Sequence, residues 1–212
     1  VTRVVRPYRG VSADDRRTER RARLIDAALD VLGESGIANT TMTAVSSRAG
    51  LTERYFYESF GDRQQLLAAV FDACVEQLDE AILAALDAAP PNLLDRARAA
   101  AGALIEVLTD DPRKARLYSE SVGEAALAPR RADAVRAYAA LIGGLMRELG
   151  DLGDERQRAP LELAALVIVG GVAEAILSWL DGSLEMPRAM LIDQCARLTV
   201  AAAESVRATA AP

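Results

Sequence analysis

Between Thr41 and Phe60, "TMTAVSSRAGLTERYFYESF", the chain has room for two short helices and one tight turn. Thr41 carries the hydroxyl of a helix N-cap, so a helix is predicted over Met42–Ala49, with Met42, Val45 and Ala49 facing inward at helical spacing. Gly50 ends it, because glycine takes the left-handed conformation without a Cβ clash. Leu51 is a buried spacer, and Thr52 opens a second short helix over Glu53–Ser59. Two short helices joined by a glycine-containing turn form a helix-turn-helix unit, whose second helix lies in a DNA major groove with its N-terminal residues at the base edges. Those residues are Thr52, Glu53, Arg54 and Tyr55.

The rest of the chain is also predicted to be helical. Apolar residues make up 51% of it, Ala and Leu are abundant, and strand-like alternation never exceeds about four residues, so the fold class is all-α with about nine helices. The first helix is predicted over Arg16–Ser35 on a stripe of Leu24, Ile25, Ala28, Leu29 and Leu32, with Gly36 as its left-handed cap. A long fourth helix follows Asp62 on a stripe from Leu67 to Leu86. Pro90-Pro91 ends it, and further helices are predicted at about 92–109, 112–120, 130–149, 157–181 and 187–208. The expected division is a flexible basic arm over 1–15, a DNA-binding domain over 16–61, and a larger helical domain over 62–212.

Composition removes whole classes of chemistry. With no histidine, Ser-His-Asp and Cys-His catalysis and His-ligated metals are excluded. Cys74 and Cys195 stand alone and read as small core hydrophobes of a reduced, cytoplasmic protein; no metal and no cofactor are expected. No Gly-rich phosphate loop or catalytic carboxylate spacing appears, so neither a His-free helical enzyme nor a bare protein-interaction module is the favoured reading. The longest uncharged apolar run, Leu163–Ala173, is too short to span a bilayer and reads as a buried helix, and no export leader is expected. Charge is asymmetric: the first 23 residues hold eight Arg against three acidic residues, whereas the whole chain carries a net −6. A basic end on an acidic body suits one end meeting a polyanion.

Four of the nine aromatic residues, Tyr55, Phe56, Tyr57 and Phe60, fall within ten positions. Phe56 and Phe60, four apart, share a face and are expected to pack on Val45, Leu51 and the first helix. Tyr55 and Tyr57 point elsewhere, towards sugar, phosphate or base edges. Glu53 either accepts from a cytosine or stabilises the helix N-terminus, and the second is favoured.

These residues carry a family likeness. "GIANTTMTAVSSRAGLTERYFYESFGDRQQLLAAVF", residues 36–71, resembles the DNA-binding domain of the TetR family of transcriptional regulators. The matching positions are Gly36, Thr40, Thr41, Met42, Val45, Ala49, Gly50, Leu51, Thr52, Phe56, Tyr57 and Phe60, with Arg63 at the family's Lys position. Two departures stand out: Ser59 replaces the usual His, and Arg54-Tyr55 replaces a small pair in the recognition helix. "DPRKAR" at 111–116 and "WLDG" at 179–182 resemble weaker phrases of the family's C-terminal halves. The resemblance implies that Thr41, Tyr57 and Arg63 bind phosphates, with Arg48 adding a contact, and that Thr52, Arg54 and Tyr55 face bases.

It also implies that the C-terminal half binds a small effector and forms a homodimer. The polar pocket candidates are Tyr118, Glu120, Glu124, Tyr138 and Glu174, around an effector expected to be largely apolar. The dimer is expected through the eighth and ninth helices, at Val169, Gly170, Val172, Leu177, Leu191, Cys195 and Leu198, with Gly170-Gly171 allowing close helix approach. The function so implied is a bacterial, cytoplasmic, ligand-responsive repressor on a pseudo-palindromic DNA operator, its halves coupled through the fourth and sixth helices.

Overall fold

The computed structural model describes residues 13–209, so the expectation for the basic arm lies, up to residue 12, outside the described residues. Nine α-helices and no strand occur among the described residues. They are α1 (Ala13–Ser35), α2 (Met42–Ala49), α3 (Glu53–Ser59), α4 (Arg63–Ala88), α5 (Leu93–Asp110), α6 (Pro112–Glu120), α7 (Ala128–Leu149), α8 (Arg158–Leu180) and α9 (Arg188–Thr209). Helix α1 begins three residues before the expected boundary of the arm, with Asp14 and Asp15 in its first turn, where acidic side chains suit the helix dipole.

Local chemistry sets most of the boundaries. The Thr41 hydroxyl accepts from the Ala44 amide at 3.2 Å, and Gly50 closes α2 at φ 63°. The Asp62 carboxylate accepts from the Gln65 amide at 2.8 Å, while the Gln65 side chain accepts from the Gly61 amide at 3.0 Å. These reciprocal bonds satisfy amides that the start of α4 leaves unpaired. Asn92 and Asp111 cap α5 and α6 in the same way, and Pro112 occupies the first turn of α6.

Helices α1 to α3 form a head around Leu24, Leu32, Val45, Ala49, Phe56 and Phe60, all buried. The Phe56 and Phe60 rings lie 5.7 Å apart, as their spacing requires. The expected division at 61/62 coincides with the N-cap of α4, but the core crosses it. Leu66, Leu67, Ala69, Val70 and Phe71 of α4, Leu117 of α6 and Leu127 belong to the same apolar cluster as the head. The body stacks α4 on α5 and α5 on α9, with α8 against α7 and α9.

Helix α8 departs from expectation. It is apolar around its whole circumference, and the span containing it, Glu155–Leu180, is long and apolar enough by length and composition to cross a membrane, with a mean hydropathy of 2.1 over 18 residues. Only 11% of that stretch is buried in the single chain, so the reading of a fully buried helix is corrected. Leu163, Leu166, Val167, Gly171 and Glu174 are exposed along one face.

Candidate nucleic-acid interface and effector cavity

The outer face of α3 is built by two choices already visible in its ten residues. Phe56, fully buried, and Phe60 pin the helix to the head, so everything on the opposite side faces outward. Thr52 sits at the N-cap with no side-chain capping bond, which leaves its hydroxyl for an outside partner. The Arg54 side chain is 84% exposed and held loosely by Glu58, Nε to Oε1 at 3.0 Å. Tyr57 is 55% exposed, its ring edge-on to Phe56 at 5.7 Å. The Thr43 hydroxyl donates to Glu53 at 2.6 Å, which ties that carboxylate to α2 at the helix N-terminus.

Three expected DNA contacts meet different surroundings. Tyr55 is half-buried beneath Arg20 of α1, whose guanidinium lies 4.7 Å from the ring centre, so the ring supports Arg20 and is partly withdrawn from the outer face. Arg48 turns back to α1, where Glu34 pairs with both of its terminal nitrogens and Asp30 lies at 3.5 Å. It reaches a phosphate only by exchanging those carboxylates. Arg63 points inward: Nε donates to the Thr40 carbonyl at 3.0 Å, Nη2 to the Ile37 carbonyl at 2.5 Å, and Nη1 to Glu124 at 3.4 Å. The expectation that Arg63 binds phosphate is therefore corrected. Its guanidinium braces the turn at 37–40 against the segment after α6.

That brace belongs to a polar seam between α6 and the head. Arg113 meets Asp30 at 2.5 Å and Asp111 at 2.8 Å, Arg116 donates to the Gly33 carbonyl at 3.1 Å, and Glu120 accepts from the Ile37 amide at 2.5 Å. Burial raises the Glu120 pKa, but the Arg116 and Ile37 donors outweigh it and hold the carboxyl below its ordinary value. Gly36 lies under the seam at φ 87°, where an added Cβ would come within 2.9 Å of Arg116. Glu120 and Glu124, expected in the effector pocket, are corrected to this seam. Arg113 and Arg116 belong to the phrase "DPRKAR", but their partners are 83 residues away, a distance that no local spacing encodes.

A cavity of about 130 Å³ lies among α4 to α9. Its walls are almost wholly apolar, with Phe71, Leu78 and Ile82 from α4, Leu104 from α5, and Leu141 and Ile142 from α7 among them. Tyr118 and Tyr138 line it, and burial pushes the Tyr118 phenol up to about 12, so it stays neutral. Glu174 is corrected: it is exposed on α8 and does not line the cavity. Arg131, at the start of α7, does line it. Sequence offered no sign of this, since its neighbour Arg130 instead pairs with Asp72 at 2.9 Å.

The expected interface residues divide by face. Val169, Val172 and Cys195 line the cavity and Leu191 is buried beside Ile176, so these four turn to the interior of the single chain, while Leu177 is half-buried. Gly170 and Leu198 do face open space. The outer stripe runs instead through Leu163, Leu166, Val167 and Gly171, whose three- and four-residue spacing was present in the sequence.

Residues 24–70 match the family model of bacterial regulatory proteins of the tetR family. The N-terminal head of the chain is thus similar to the tetR family. Among curated TetR-like relatives, it is 36% identical over 74 residues to the HTH-type transcriptional regulator BetI of Rhizobium meliloti, covering 34% of this chain and 36% of that protein. The match thus spans about a third of that relative's length. The HTH-type transcriptional activator FasR of Mycolicibacterium smegmatis is 28% identical over 167 residues, 78% of this chain and 74% of FasR. Among solved structures, the transcriptional regulator FadR of Bacillus subtilis, in complex with stearoyl-CoA, superposes with a TM-score of 0.71 at 17% identity, covering 85% of this chain and 98% of FadR. That likeness bears on the fold alone.

Proposed function

We propose that this protein is a TetR-family, ligand-responsive transcriptional regulator, acting as a repressor, which binds a pseudo-palindromic operator as a homodimer and leaves it when a small molecule fills the body. The observation that carries the reading is the outer face of α3. Thr52, Arg54 and Tyr57 lie exposed on a helix whose opposite side is locked by Phe56 and Phe60. Thr41 at the start of α2 adds a phosphate donor. Two such helices, one per protomer, enter successive major grooves about 34–36 Å apart. The stripe on α8 is covered by a second copy, since Glu162 and Glu174 at its two ends suit a wet rim and not lipid. The seam from Arg113 to Arg63 carries the response, because a ligand that needs more room than the cavity offers favours a different placement of α6 on the head.

Selection of bound duplexes from a random pool yields the operator, and titration of wild type and Arg54→Ala then tests the reading. Loss of a bidentate base contact weakens operator binding by about tenfold or more, with little change on random DNA. Equal losses on both would remove Arg54 from base reading. A reporter placed behind the operator distinguishes repression from the activation named for FasR.

A further inference from the structure

The polar groups of the cavity restrict the charge of its ligand. Four side chains with O–H or N–H groups line it: Tyr118, Tyr138, Thr199 and Arg131. Three are committed to protein acceptors. Tyr118 donates to the Ala173 carbonyl at 3.3 Å, Tyr138 to Asp79 at 2.8 Å, and Thr199 to the Cys195 carbonyl at 3.0 Å. Arg131 is the one charged residue of the lining, it is half-buried, and no carboxylate of the described residues lies within ion-pair distance of it. Its positive charge acts on Tyr118, where Glu174 opposes it with a smaller effect. A guanidinium facing an apolar chamber without a counter-ion is incompletely compensated, and an incoming anion supplies what the protein does not. No carboxylate lines the cavity, so a cationic ligand finds no partner in it.

We infer that the effector is an amphiphilic anion, with an aliphatic tail among α4, α5, α7 and α8 and an acidic head group paired with Arg131. This rests on the proposed effector site and assigns the chemical class it takes. The aromatic residues of the lining are Phe71, Tyr118 and Tyr138 alone, so the tail meets mostly Leu, Ile, Val and Ala, which suits a flexible alkyl chain better than a stacked planar ring. A free carboxylate and a coenzyme A thioester, whose phosphates carry the charge, share this chemistry.

Calorimetry on the full-length protein with octanoate, octanol and octyltrimethylammonium tests the assignment, with octanoyl-coenzyme A separating thioester from free acid. Octanoate or its thioester is expected to bind roughly tenfold or more tightly than octanol, because a hydrogen bond to a charged group is worth more than a neutral one. In Arg131→Gln that preference collapses, while octanol affinity and the melting temperature stay near wild type; Arg131→Lys retains part of the preference. Equal binding of anion and alcohol, tightest binding of the ammonium, no binding of any probe, or an anion preference that survives Arg131→Gln would each overturn the inference. If octanoate binds through Arg131 but leaves operator occupancy unchanged, the regulatory reading fails and this one stands. If the operator is bound but the anion is not preferred, the reverse holds.

Discussion

Helices α3 and α8 both present two working faces, yet they separate those faces by different means. In α3 the division is chemical: Phe56 and Phe60 point in, and Thr52, Arg54 and Tyr57 point out. In α8 both faces are aliphatic, with Val172 and Ile176 turned to the cavity and core and Leu163, Leu166 and Val167 turned to the outside. A helix whose sides differ in polarity announces its orientation; one that is apolar all round does not, and only its neighbours fix which side is covered.

The sharpest way to break this comparison is at the inner face of α3. Phe56→Ala is expected to cost about 3–5 kcal/mol, the usual penalty for emptying a buried phenylalanine site, read as a large fall in the denaturation midpoint with loss of DNA binding. A midpoint close to wild type would mean that α3 is not held by its aromatic side. On the outer face of α8, Val167→Asp is expected to leave the fold of each protomer intact and convert the proposed dimer to monomer, as read by sedimentation or light scattering. A variant that remains dimeric would move the interface off this stripe.

Arg63→Ala sharpens the boundary between head and body. The three hydrogen bonds lost include two to backbone carbonyls that are left without this donor, so stability should fall by about 1.5–3 kcal/mol. The salt dependence of DNA binding should keep its slope, because no phosphate contact is removed. A slope reduced by about one would restore Arg63 to the DNA. The smallest effect is expected from acid. Glu120 and Asp111 both have folded pKa values below their ordinary ones, Asp111 chiefly through its hydrogen bond to Arg113. Their contribution is complete above the unfolded carboxylate range and is lost as pH falls through the depressed folded values. Hydrogen exchange at α6 should therefore quicken only below about pH 4, and protection that weakens already near neutrality would point to another cause.

Much of the head was legible because its information is local. Thr41, Gly50 and Asp62 fix helix ends through contacts within four residues, and the four-residue spacing of Phe56 and Phe60 fixes the inner face. Among the expected DNA contacts and pocket residues, the roles that changed are those of long side chains. Arg48, Arg63, Glu120 and Glu124 all lie where the sequence places them along the chain, but their tips reach partners 14 to 83 residues away. With 24 arginines in the chain, type alone cannot separate one that faces DNA from one that braces a turn or one that lines a cavity.

The sequence by itself determined the all-helical class, the helix ends, the two-sided recognition helix and the exclusion of histidine chemistry, because capping, glycine conformation and side-chain periodicity act over a few residues. Tertiary structure alone decided which side of α8 is covered, that Arg63 and Glu120 join the head to the body, and that Arg131 faces the cavity with no ion-pair partner among the described residues. Those outcomes depend on which helices become neighbours, and a flexible charged side chain takes its partner from whatever packing brings within reach.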